Sequence, residues 1–314
     1  STDCRERGIR PVFRLAAHWM SVNPRSMKTT PCGILLVATG LGLLAARCGL
    51  AANATAAWLA EHYTKFEHQI PMRDGVRLFT RVYLPKDGST PWPIVLTRTP
   101  YGLKPYGADN HTDPVGSIET LARDSFILVT QDVRGRFASE GEYVHVRPFN
   151  AAKAGTDTDE SSDTWDTIDW LVKHVPGHNG NVGMFGISYP GFYTSMGMID
   201  SHPALKAASP QAPIADWFMG DDVHHHGAFF LSQNFDFFCW FAQRAESPKH
   251  QEIKGFHFGT PDGYDFFLRM GVLANSDAVL LKGRSPIWTE FLQHPTYAAY
   301  WQARNIRPHL KNVR

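Results

Sequence analysis

From Phe66 onward the apolar positions fall into short strand-like runs. In the stretch IPMRDGVRLFTRVYLP, Val76, Leu78, Thr80, Val82 and Leu84 recur at every second residue, and Asp74-Gly75 separates two runs. Period two puts one set of side chains on one face of a half-buried strand, and an Asp-Gly pair between such runs predicts a hairpin. Pro85 to Pro93 reads as a loop. Ile94 to Leu96 is a short strand that runs into Thr97-Arg98-Thr99-Pro100-Tyr101-Gly102, and Ser125 to Val129 is another, ending in QDVRGRFASEGEY. Then the period changes. In TWDTIDWLVKHV (164–175), Trp165, Ile168, Asp169, Leu171 and Val172 keep the three-to-four spacing of a helix face, and Pro176-Gly177 stops it. Val182 to Ile187 and Leu205 to Ala208 are further apolar runs. Strands alternating with helical segments predict a mostly parallel sheet with crossover connections.

Beyond Ala212 the texture differs. Aromatic-rich helical stretches run to about Tyr300, with loops around Pro248, Gly259 to Gly263 and Ser285-Pro286. They read as a helical cap over 212–306 inserted into a sheet domain whose first part spans 57–211. Residues 307–314 return to that domain, and Leu310 to Arg314 begin a strand. Most of the aromatic residues are expected to form core; the other reading is a pocket lining for an apolar group.

The first 56 residues read as processing signals instead of fold. Met27-Lys28 is followed by an apolar run from Gly33 to Ala46 and then by small residues from Ala51 to Ala57, the order of a secretory signal peptide. The run is shorter than the roughly 20 residues a spanning helix needs. Cleavage after Ala54 or Ala56 is expected, with residues 1–26 as upstream or leader sequence, a periplasmic or secreted product, and no membrane association afterwards. Cys4, Cys32 and Cys48 precede the cleavage sites, so Cys239 alone remains, a buried small hydrophobe among Phe237, Phe238, Trp240 and Phe241. The net charge of +1 gives no basis for nucleic-acid binding. No internal repeat is present.

The chemistry concentrates at Asn181 to Gly191, NVGMFGISYPG. A buried strand ends in Gly186-Ile187, Ser188 follows, and Tyr189-Pro190-Gly191 opens a helix. In α/β-hydrolases this is the nucleophile elbow, with the serine at the tip of a sharp turn and the helix N-terminus behind it. Pro190 occupies the fifth place of G-x-S-x-G, and the glycine comes one residue later. A strand-to-helix turn with an ordinary serine has the same spacing.

Several stretches together resemble one family. They are TRTPYG (97–102), QDVRGRFASEGEY (131–143), TDESSDTWDTIDWLV (158–172), GISYPGF (186–192), HPALKAASPQAPIADWFMGDD (202–222) and HHGAF (225–229). The chain is identified by them as similar to the α-amino-acid ester hydrolases, within the cocaine-esterase-like and Xaa-Pro dipeptidyl-peptidase group of serine hydrolases. The resemblance implies an α/β-hydrolase sheet with an inserted helical cap. It implies Ser188 as nucleophile, with the Tyr189 backbone N–H and the Tyr101 hydroxyl as oxyanion donors. Asp222 is implied in the carboxylate cluster that binds a substrate α-ammonium; a helix-capping role for Asp221-Asp222 is the other reading. His225 lines the cap or pocket. His224, His225 and His226 point in different directions and form no metal set, and no cofactor is expected. Asp132, Arg134 and Arg136 read as loop ties, and Asp159, Glu160 and Asp163 as capping and loop charges. Such relatives carry the triad acid and histidine, and a β-sandwich domain, after the cap. On this reading the acid, the histidine, the C-terminal part of the sheet and the sandwich are not in this chain.

The implied function is an exported hydrolase of α-amino-acid esters, extending to α-amino β-lactam antibiotics, with a small-molecule ester or amide as partner. A neutral-ester esterase, a dipeptidyl peptidase and a non-catalytic remnant are the alternatives, and a homo-oligomer is left open.

Overall fold

The Asp74-Gly75 turn joins β1 (Tyr63–Pro71) to β2 (Arg77–Pro85), which pair antiparallel from Tyr63 opposite Pro85 to Pro71 opposite Arg77. The computed structural model describes residues 56–111, 119–124, 126–220, 222–241 and 256–313. The signal-peptide and leader readings, and Asp221, lie outside these residues.

Next come β3 (Trp92–Thr99), a short helix α1 (Glu119–Arg123), β4 (Ile127–Asp132), α2 (Glu160–His174), β5 (His178–Ile187), α3 (Tyr189–Gly197) and β6 (Leu205–Gln211). The six-stranded sheet has the order β1-β2-β4-β3-β5-β6. β2 meets β4 antiparallel, while β3/β4, β3/β5 and β5/β6 are parallel. This is the mixed α/β sheet with helices of the α/β-hydrolase fold.

Alternation along the strands builds two apolar layers. Leu78, Val82, Ile94, Leu96, Val129 and Met184 face Ile168 and Leu171 of α2 and Phe192 and Met196 of α3. On the opposite face Tyr83 and Leu128 pack with Leu59, Tyr63 and Ala122. Each such side chain contributes roughly 1.5–3 kcal/mol when fully buried.

Helix α2 starts four residues before the expected Thr164, because its cap lies upstream. Asp159 Oδ1 accepts from the Ser162 N–H at 2.8 Å and Ser162 Oγ takes the Asp159 N–H at 2.8 Å, a reciprocal capping box. Glu160 and Asp163, expected as loop charges, are instead buried in ion pairs. Glu160 meets Arg98 at 3.0 Å, and Asp163 meets Arg134 at 2.7 Å. Arg134 also reaches Asp74 at 2.7 Å, the loop tie anticipated for it.

The region after Ala212 is helical but not uniformly so. A two-strand hairpin, β7 (His224–His225) with β8 (Ala228–Phe229), precedes α4 (Leu231–Phe241), α5 (Gly263–Met270), a π-helical turn (Ser276–Leu281), α6 (Pro286–Gln293) and α7 (Ala299–Gln302). Trp217, Trp288 and Trp301 are buried with Phe235, Phe238 and Phe291, so here the aromatic residues make core. Cys239 is buried too, and burial pushes its thiol up to about 11.

The strand expected over Leu310 to Arg314 is not formed in the described residues. Arg307–Asn312 is a 3-10 helix, and only Val313 bridges to Ile199. Pro308 has no N–H for a ladder and suits the first turn of a helix, and His309 N–H bonds the Ile306 carbonyl at 3.0 Å. Within 307–314, the Asn312 carbonyl accepts from Asp200 N–H at 3.4 Å. Among the described residues no helix is long and apolar enough to cross a membrane.

Candidate active site

Strand β5 ends at Ile187 and α3 begins at Tyr189, leaving Ser188 alone at the turn with φ 61° and ψ −119°. A non-glycine residue in that region costs on the order of 1–3 kcal/mol and persists only where its surroundings enforce it. Two backbone bonds do so here. Ser188 N–H donates to the Gln211 carbonyl of β6 at 2.9 Å, and the Ser188 carbonyl accepts from Phe192 N–H at 3.0 Å. The Ser188 side chain makes no capping bond and is exposed.

The spacing of the glycines follows from the sharpness of this turn. A Cβ on Gly186 would meet the Pro190 carbonyl oxygen at 2.2 Å, and one on Gly191 would meet the Gln211 oxygen at 2.6 Å. The second glycine is therefore needed at 191, while 190 tolerates proline in the helix's first turn. The Tyr189 N–H stands first in α3, where no intrahelical acceptor exists. The Tyr189 side chain is buried and held away, its hydroxyl accepting from Val146 N–H at 3.0 Å.

Strand β3 lies beside β5 with Leu96 opposite Met184, and continuing that register brings Thr99 level with Ile187. Tyr101, two residues past β3, and Ser188, one past β5, thus leave the sheet at the same edge. Tyr101 N–H donates to Thr99 Oγ1 at 3.2 Å, and its ring packs on Phe241 with centroids 5.4 Å apart. Tyr101 is 40% exposed overall, but partial burial where it packs pushes its phenol up to about 12, the Asp222 carboxylate adds to this, and the Arg136 guanidinium opposes it. Tyr101 and Asp222 therefore feel each other's field. Asp222 itself is exposed, and its carbonyl is held by the buried Asn234 amide at 3.0 Å.

Of the three adjacent histidines only His224 turns away; the His225 and His226 rings meet edge to face with centroids 4.4 Å apart. His224 is buried with its ring 4.0 Å from that of Phe218, whereas His225 is exposed and stacks 6.0 Å from Phe230. Burial lowers His224 below the usual imidazole range. Among the described residues no histidine is hydrogen-bonded to the Ser188 hydroxyl. His145 Nδ1 faces the Tyr189 hydroxyl at 3.2 Å, and burial, aided by Arg136, takes it down to about 3. His309 packs on Phe149 at 4.6 Å.

Asn234, Asp216 and Asp132 stand around the site, and the sequence gave no functional signal for the first two. Asn234 holds the backbone of Asp222 and Val223. Asp216 holds the loop before it, accepting from Tyr297 Oη at 2.9 Å and Asn305 Nδ2 at 2.8 Å. Asp132, at the end of β4, is fully buried with its Oδ2 accepting from Tyr106 Oη at 3.0 Å, and burial raises it to about 7. Only its place at a strand end, on the edge that carries Ser188, hinted at a role.

The family described as X-Pro dipeptidyl-peptidase (S15 family) matches residues 74–314. The chain belongs to the S15 family. Within it, the chain is similar to cocaine esterase from Rhodococcus sp. (strain MB1 Bresler), with 38% identity over 150 residues, 48% of this chain and 23% of the esterase. A solved α-amino acid ester hydrolase shares 38% identity at a TM-score of 0.68, over 78% of this chain and 40% of its own. An aminopeptidase from a marine sediment Thaumarchaeota archaeon shares 37% identity at a TM-score of 0.68, with the same 78% and 40% coverage. The chain thus spans two fifths or less of these relatives' lengths. This S15 member stands among serine esterases and hydrolases.

Proposed function

We propose that the protein carrying this chain is an exported serine hydrolase that cleaves α-amino-acid esters through an acyl-enzyme on Ser188. The observation that carries this reading is the Ser188 turn. A hydroxyl is held at positive φ, exposed, directly ahead of the unpartnered Tyr189 N–H. Ser188 Oγ attacks the ester carbonyl, and the charge that develops on the carbonyl oxygen is met by the Tyr189 N–H and the Tyr101 hydroxyl. Collapse of the tetrahedral adduct expels the alcohol, and water then releases the acid. The serine proton goes to a histidine that the resemblance places after the strand following the cap.

Asp222 supplies the selectivity. A carboxylate at the mouth of a largely apolar site attracts a substrate ammonium and penalises a neutral acyl group. One relative is named for α-amino acid esters and the other as an aminopeptidase, and both substrate types place an amino group beside the acyl carbonyl. Amides with an α-amino side chain, including β-lactams, fit the same pocket chemistry. Export rests on the order of charge, apolar run and small residues across 27–57.

The test is covalent labelling by a fluorophosphonate probe of the protein produced from its complete gene. Peptide mapping should place the adduct on Ser188, and Ser188→Ala should abolish both the adduct and ester hydrolysis. Labelling that survives this substitution overturns the reading.

A further inference from the structure

Arg136 is 3% exposed, yet among the described residues it makes no ion pair. Its Nε donates to the Pro100 carbonyl at 3.0 Å, the peptide immediately before Tyr101. Its Nη1 points to the Phe241 carbonyl at 3.4 Å, and Nη2 has no hydrogen-bond partner. The guanidinium lies over three aromatic faces, those of Phe241 at 4.6 Å, Tyr143 at 5.0 Å and Phe137 at 5.2 Å. Phe241 in turn packs on the Tyr101 ring. Arg136 therefore grips Tyr101 from two sides, through the backbone that precedes it and through the ring that supports it.

A buried cation with no ion pair, which the Asp132 carboxylate meets only through its field, is an expensive way to fill space. Replacing buried charges by apolar groups of similar volume is often neutral or stabilising, so packing alone gives no reason for arginine here. Charge does. A developing oxyanion is stabilised by fixed positive charge behind its donors in a water-poor site, and aromatic faces hold a guanidinium without neutralising it. The opposing influences of Arg136 and Asp222 on the Tyr101 phenol agree with this placement.

We propose that Arg136 is the positioning residue for Tyr101, fixing its phenol through Pro100 and Phe241 and setting a positive charge behind the oxyanion that the phenol meets. This rests on the reading of Tyr101 as an oxyanion donor.

The test is a double-mutant cycle with Arg136→Met and Tyr101→Phe on an amino-acid methyl ester, measured on the protein from its complete gene. Tyr101→Phe should lower kcat about 100-fold, as loss of one oxyanion donor does. Arg136→Met should lower kcat about tenfold with KM within roughly threefold, and should cost less than about twofold when Tyr101 is already Phe. Arg136→Lys keeps the charge but not the fork, should fall between, and serves if the Met variant does not fold. Equal losses in both backgrounds mean that Arg136 is structural and overturn the proposal, as does full activity of Arg136→Met. If Tyr101→Phe retains full kcat, the oxyanion reading of Tyr101 fails first and takes this role with it.

Discussion

Gly191 lies so close to Gln211 that a Cβ on it would stand 2.6 Å from the Gln211 carbonyl oxygen, with the Gly186 oxygen at 3.1 Å. Both neighbours are backbone and cannot swing aside. Gly191→Ala should push the start of α3 away from β6 and move Ser188 with it. Overpacking of this kind costs about 1–3 kcal/mol, and a displacement near 1 Å costs about 100-fold in rate. A thermal melt and a kcat measurement on the variant check this. A variant with unchanged kcat would show that the turn does not depend on this contact.

The strain at Ser188 has a stability signature separate from catalysis. Alanine keeps a Cβ at φ 61°, whereas glycine takes that conformation without steric cost. Both substitutions should abolish probe labelling, but Ser188→Gly should be the more stable of the two by about 1 kcal/mol. Urea unfolding of the pair decides it, and an alanine variant as stable as the glycine one argues against strain.

Asp222→Asn should raise KM for an amino-acid methyl ester by roughly 10- to 100-fold while changing hydrolysis of the deaminated ester by less than about threefold. Paired kinetics on the two esters give the ratio. Equal losses on both would assign Asp222 to holding the loop.

Burial lifts Asp132 to about 7 in the folded protein, against about 3.9 in an unfolded chain. Between those values the folded state holds a proton that the unfolded state has lost, so this group takes stability away as pH rises from about 4 to about 7. Asp132→Asn cannot ionise. Relative to the parent protein it should gain on the order of 2 kcal/mol between pH 5 and pH 8. Urea unfolding at the two pH values measures it, and a flat difference would mean that Asp132 titrates as an exposed carboxyl.

The local signals in the sequence proved the most legible. Asp74-Gly75 named its hairpin, and the glycines around Ser188 named the turn, because each is a backbone requirement met within a few residues. The strand order, with β4 between β2 and β3, was not readable, since it depends on pairings between distant runs. The same limit hid the fate of the charges. Glu160 and Asp163 look like solvated loop residues until Arg98 and Arg134 arrive from other strands and loops to bury them. At the site, the turn at Ser188 was legible from its own spacing, whereas Tyr101 was singled out only through the family resemblance. Asn234 and Asp216 gave no such signal, because each holds residues of its own segment that are brought together only when that segment folds, and Arg136, read as a loop tie, meets Phe241 only across from the segment after Ala212.

Phe241, the last residue of α4, touches the rings of Tyr101 at 5.4 Å and Tyr189 at 5.7 Å. On the proposed function, a chimera that exchanges the whole 212–306 segment between relatives, to import a new acyl preference, would also replace this support of Tyr101 and Tyr189. If that function holds, libraries aimed at new substrates should keep an aromatic residue at 241 and vary the rest, since loss of that ring would leave binding in place while costing turnover.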